Sequence, residues 1–234
     1  MRRIVVIALS VILALVVALP MASGKTQATA VQGQSIGKKI LGELGARWWE
    51  WAVEEPTATN PQIGPPYTDG CEGPFSLKGR EVFFLSGTQS GEPVTRECTV
   101  PRKTWLFFPI VTTFYGEPTG VSSEEAFRQF VNNCIDEALV DSTVFVTVDG
   151  EPLRVSIKKQ RADTPLFTFD LPPDNIYGPA PSGEYQVVAD GVWVLLHPLK
   201  EGTHTVTFGG DFPNNPAECG GPFSQDNTYV ITVE

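Results

Sequence analysis

Thr143-Val144-Phe145-Val146-Thr147-Val148-Asp149-Gly150 decides the fold. Six β-branched or aromatic residues run into Asp-Gly, the pair that makes a tight two-residue hairpin turn because both positions take positive φ at little cost. The chain is expected to return along Leu153–Ile157. Working outward, the same composition recurs in short runs punctuated by Gly or Pro. Upstream lie Glu81–Ser86, Val94–Val100 and Thr104–Thr112. Downstream lie Leu166–Leu171, Tyr185–Ala189, Val192–His197, Thr203–Phe208 and Thr228–Val233. Most of these strands are joined without a helical crossover, which points to antiparallel pairing. The expected fold is mainly β: an antiparallel β-sandwich, Ig-like or jelly-roll-like, with two α-helices packed on it.

The helices read from a different period. Ile36, Ile40, Leu41, Leu44, Trp48 and Trp51 share one face of a helix over 36–54, with Ser35 as N-cap and Pro56 as the stop. Ser122, three residues before Glu125, forms a capping-box pattern for a helix over 123–139, whose buried stripe includes Phe127, Val131, Cys134 and Ile135. Between the first helix and the first expected strand, residues 56–79 are rich in Pro and Gly and read as a long loop. No composition shift divides residues 35–234, so they are taken as a single domain. A six-residue echo, C-x-G-P-F-S at Cys71 and again at Cys219, is short enough to arise by chance.

Met1-Arg2-Arg3, an apolar run from Ile4 to Leu19 and small residues at Ala22 and Gly24 have the grammar of a secretory signal peptide over 1–24, followed by a flexible leader over 25–34. The run is shorter than the ~20 residues that span a bilayer, and none as long follows, so no membrane span is expected after cleavage. The 234 residues carry 17 Lys plus Arg against 27 Asp plus Glu, a net charge of −10. This acidic balance excludes nucleic acid as a partner, since binding there depends on basic side chains at phosphates. Cys71, Cys98, Cys134 and Cys219 lack the close C-x-x-C spacing of zinc sites and in an exported chain read as two disulfides. Of three possible pairings, Cys71–Cys98 with Cys134–Cys219 is favoured, because the first pair flanks one strand and its return.

Several strings resemble an uncharacterised family of exported bacterial β-rich proteins. They include Trp48-Trp49-Glu50-Trp51, Glu81-Val82-Phe83-Phe84-Leu85-Ser86-Gly87, Arg96-Glu97-Cys98-Thr99-Val100-Pro101 and Leu106-Phe107-Phe108-Pro109-Ile110. Asp190-Gly191-Val192-Trp193-Val194-Leu195-Leu196 and Gly202-Thr203-His204-Thr205-Val206 complete the set. The resemblance covers most of residues 45–233 and implies secretion, or a periplasmic location, and a compact β-rich domain. It brings no catalytic residue with it. Such sequences carry Lys where this chain has His197.

The candidate chemistry is sparse. Gly33-Gln34-Ser35-Ile36-Gly37 matches the nucleophile-elbow pattern, but no strand precedes it, and an N-cap explains Ser35 as well. No cofactor is expected, with one alternative: His197 and His204, the only histidines, would face each other if their two strands formed a hairpin. That register pairs Leu195 with Val206 and Trp193 with Phe208, and Glu201 or Asp211 would complete a divalent metal site. The acidic residues single out no catalytic pair; Glu50, Glu54 and Glu55 lie near the tryptophans, and Asp170, Asp174 and Asp190 near strand ends. Trp49 falls off the helix's apolar stripe and, with Tyr67, Tyr115 and Tyr177 in Pro/Gly-rich surroundings, is a candidate to line a binding cleft. The expectation is therefore a non-catalytic extracellular or periplasmic module that contacts polysaccharide, the cell surface or another protein through its loops. The alternative is a secreted hydrolase or lyase using loop carboxylates or the His-based metal.

Overall fold

The computed structural model describes residues 37–63, 70–89, 91–118, 123–178 and 180–234. The expected signal peptide and leader, Ser35, Ser122 and Tyr67 lie outside them. Helix α1 spans Lys38–Glu54, with Gly37 at its N-cap. Strands β1 (Cys71–Leu77), β2 (Arg80–Leu85), β3 (Val94–Val100) and β4 (Trp105–Pro118) lead to helix α2 (Glu124–Ala138), whose N-cap is Ser123. Strands β5 (Thr143–Val148) and β6 (Glu151–Pro152) precede a single-turn helix, α3 (Ile157–Gln160). Strands β7 (Arg161–Asp163), β8 (Phe167–Leu171), β9 (Gly183–Leu196), β10 (Gly202–Phe212) and β11 (Phe223–Val233) complete the chain.

The hairpin that opened the reading is present. Thr147 pairs with Pro152 and Val148 with Glu151 across Asp149 (φ 53°) and Gly150 (φ 78°). Its second strand is shorter than expected: past Pro152, which has no N–H to give the ladder, the chain turns into α3 instead of continuing to Ile157. The two expected strands at 185–189 and 192–197 are one, β9. A Cβ on Gly191 would come within 2.7 Å of Thr112, so glycine here permits β4 to bulge against an unbroken β9. Strand β1 occupies ground read as loop.

Two mixed sheets pack face to face. The front sheet runs β1-β2-β4-β9-β7, with β8 also on β9; the back sheet runs β3-β11-β10-β5-β6. The expectation of purely antiparallel pairing fails at β2 with β4 and at β3 with β11, which are parallel. A strand in the opposite sheet does the work of a crossover helix: the chain leaves β2, runs through β3 in the back sheet and returns as β4. Between the sheets, Phe108 stacks on Phe208 at 4.2 Å, and Phe208 on Tyr229 at 5.8 Å. Arg96, buried from the back sheet, donates to the Ser86 carbonyl and the Tyr229 hydroxyl and so joins the layers.

The outer face of the front sheet is covered by α1. Trp48 donates its indole N–H to the Leu85 carbonyl and Trp193 donates to that of Ala162, each at about 3 Å, so two large rings are buried with their polar atoms satisfied. Both favoured disulfides are present. Cys71–Cys98 ties β1 in the front sheet to β3 in the back one, and Cys134–Cys219 ties α2 to the 3-10 turn Ala217–Cys219 ahead of β11. No helix among the described residues is long and apolar enough to cross a membrane.

Candidate functional site

The expected histidine pair does not form. His197 follows the end of β9 in the front sheet, whereas His204 lies in β10, which pairs with β5 and β11 in the back sheet. The six residues between them carry the chain from one layer to the other, so the predicted hairpin register has no counterpart. His197 lies on the Trp105 ring with centroids 4.2 Å apart, and partial burial with the nearby Arg80 charge lowers its pKa. His204 faces Asp149 through Nδ1 at 2.8 Å and the Lys200 carbonyl through Nε2 at 2.9 Å. The residues suggested as a third ligand are engaged elsewhere: Glu201 pairs with Arg102, and Asp211 accepts from the Ser224 hydroxyl. Among the described residues no group of three or more His, Cys, Asp or Glu is placed to hold a metal ion.

The carboxylates serve the fold. Glu54 accepts the backbone N–H of Asp170, and Glu55 accepts from the Thr59 hydroxyl. Desolvation, with Glu54 close by, raises the Glu50 pKa against the Arg47 charge. Asp190 is wholly buried, and desolvation pushes its carboxyl up to about 6, although Arg161 binds it at 2.6 Å. Arg161 also pairs with Asp136 and donates to the Asn132 carbonyl, so the cluster pins α2 and β7 onto β9. A cavity of about 520 Å³ opens beside it, lined by Lys38, Lys39, Asp136, Arg161 and Asp163 among others.

The candidate aromatics divide between faces. Phe114 and Tyr115 are neighbours in β4 and point to opposite sides of the sheet, as the strand period requires. Tyr115, 38% exposed, packs on Phe127 and Phe130 of α2. Phe114 meets Trp49 at 4.7 Å and Tyr177 at 5.5 Å on the α1 side. Trp49 is buried, against the reading that put it off the packed stripe, because α1 covers the sheet with more than one row of side chains. Its indole N–H donates to Thr112 Oγ1, which in turn donates to the Asp190 carbonyl.

Trp49 and Tyr177 nevertheless border one cavity of about 480 Å³, within the roughly 300–1,000 Å³ typical of small-molecule sites. Strand β2 pairs with β4 only over Trp105–Phe107, and from Pro109 onward β4 forms a wall of this cavity. The loop after β2 contributes Thr88 and Gln89, the turn after α1 contributes Gln62, the segment after β10 contributes Asn215, and the start of β11 contributes Gln225. Gln62 donates to the Tyr177 hydroxyl at 2.9 Å; burial, against the hydrogen bonds from Gln62 and Gln89, raises the phenol's pKa and keeps it neutral. Thr88 is 5% exposed, and its hydroxyl has no hydrogen-bond partner. Among the described residues, no side chain lining the cavity carries a charge. Of the aromatics singled out in the sequence, Trp49 and Tyr177 border this cavity and Tyr115 does not; the amides and Thr88 were not singled out, since neutral polar residues scattered over several segments form no motif.

Neither a family model nor a curated protein matches this chain. Two solved structures resemble it slightly. A cysteine protease inhibitor from Entamoeba histolytica is 10% identical with a TM-score of 0.23, over 65% of this chain and 96% of that one. Amebosin is 12% identical with a TM-score of 0.18, over 64% and 96%. Shapes this far apart assign nothing to the present chain.

Proposed function

We propose that this protein is an exported, non-catalytic binding module that holds a polysaccharide or a cell-surface partner at the uncharged cavity between α1, β4 and the loop after β2. The observation that carries the reading is the lining itself. Aromatic rings, amides and hydroxyls converge there without a carboxylate, imidazole or amine among the described lining residues. Hydrolysis or elimination needs a group that moves a proton near neutral pH, and an amide-and-hydroxyl wall offers orientation and contact instead. Two disulfides support an oxidising compartment, in keeping with the expected signal peptide.

Incubation of the purified chain with a panel of insoluble polysaccharides tests this reading. Retention on at least one of them, with no soluble sugar released, is the expected result. Release of soluble sugar overturns it.

A further inference from the structure

We infer that the uncharged cavity takes a neutral, hydroxyl-rich ring, a pyranose unit of an uncharged glycan, and that the Thr88 hydroxyl is its anchoring contact; this rests on the binding-module reading above. Thr88 is the reason. A hydroxyl buried without a partner costs free energy, and native interiors tolerate few of them. The neighbouring polar groups have partners within the chain. Gln62 donates to the Ala52 carbonyl and to Tyr177, Thr112 bridges Trp49 and the Asp190 carbonyl, and Asn215 donates to the carbonyls of Cys219 and Gly221. Thr88 belongs to the same wall and its buried Oγ1 has no hydrogen-bond partner among the described residues, which leaves it a bond to make once a rotation about χ1 brings it within reach of a ligand's donor or acceptor.

The surroundings select the chemistry of what fills it. An ionised ligand would leave water with no opposite charge to meet it. A purely apolar one would leave the Thr88 hydroxyl as it is and strand the free edges of the amides. A sugar ring has hydroxyls that both donate and accept, with C–H faces that suit the rings of Phe114 and Tyr177. Thr88 would act as a binding residue with no part in any proton transfer.

The chain is titrated calorimetrically with neutral oligomers of glucose, xylose and N-acetylglucosamine, and with oligogalacturonate as the charged counterpart. At least one neutral oligomer is expected to bind, and oligogalacturonate to bind none or far more weakly. Thr88→Val is nearly isosteric and removes a hydroxyl that bonds nothing in the free protein, so its unfolding midpoint should equal or exceed the wild type's. Its affinity should drop roughly tenfold, the worth of one neutral hydrogen bond. Thr88→Ser, which keeps the hydroxyl, should bind as the wild type does. Unchanged affinity in Thr88→Val, preference for oligogalacturonate, or no binding of any neutral oligomer overturns the inference. Retention of a polysaccharide that Thr88→Val does not weaken defeats this inference alone, whereas release of soluble sugar defeats the binding-module reading beneath it.

Discussion

The cavity beside α2 and the cavity beside the loop after β2 have similar volumes, about 520 and about 480 Å³, but opposite chemistry. The first is lined by Lys38 and Lys39, by Arg161, which pairs with Asp136 and with the buried Asp190 behind it, and by Asp163, 3.9 Å from Arg128. These ion pairs hold α2 to the sheet. Among its described residues the second carries no charge and holds a buried hydroxyl without a partner. A charged cluster draws the eye as a functional site, yet one that is internally paired has spent its interactions on the fold. The quieter cavity is the one that we propose takes a ligand.

Four changes break or sharpen this contrast. Removing the Cys134–Cys219 bridge by a double Cys→Ala change has the largest effect. It closes an 85-residue separation, and its loss should cost about 4–5 kcal/mol in urea unfolding. Because Cys219 also borders the uncharged cavity, glycan affinity should fall with it. Arg161→Met should come next. It strands the buried Asp190 charge and costs about 3 kcal/mol at pH 7, at the low end for a broken buried pair because Arg161 is partly exposed. Glycan affinity should stay at the wild-type value, the clearest separation of the two cavities.

The third change is one of pH. Asp190 ionises near 6 in the folded chain and near 3.8 ordinarily. Between those values the folded chain keeps a proton that the unfolded chain has released, so the group's stabilising share is full below about pH 4 and falls away as pH rises through 6. The span is at most about 3 kcal/mol. Asp149 runs the other way. Desolvation opposes it, but the hydrogen bonds from His204 and the Thr205 N–H win and lower its pKa, so its share is lost as pH falls. Unfolding midpoints of Asp190→Asn across pH 2–7 should lack the downward slope and keep the Asp149 limb, which lies below about pH 4. The smallest effect belongs to Trp49→Phe, which keeps a ring against Phe114 but drops the bond to Thr112, for a loss of about 1 kcal/mol in thermal unfolding.

How far the sequence reaches depends on whether an interaction is local. The Asp149-Gly150 turn, the limits of β3 and β5, and the stripes of α1 and α2 follow from spacing within a few residues. The disulfide pairing followed because Cys71 and Cys98 flank one strand and its return. The misread strands β1, β6 and β9 are local misses, whereas those that bear on the site are long-range. His197 and His204 lie seven apart in sequence, but the chain changes sheets between them. Parallel β2–β4 pairing depends on an excursion through the other layer, which no local pattern records. Trp49 read as off-stripe because helical period describes one packed face, whereas α1 is covered more broadly. The uncharged cavity was half legible: its rings drew notice, while Gln62, Thr88 and Gln225 became neighbours only through folding.

Backbone amide NMR of the full chain at saturation with the neutral oligosaccharide that it binds tests the central claim most directly. The account predicts shifts concentrated at Gly87–Gln89, Thr112–Phe114, Tyr177 and the start of β11, with Asn132–Asp136 and Arg161–Asp163 unmoved. Shifts centred on Arg161 and Asp136, or spread over the surface without a focus at Thr88, would contradict it.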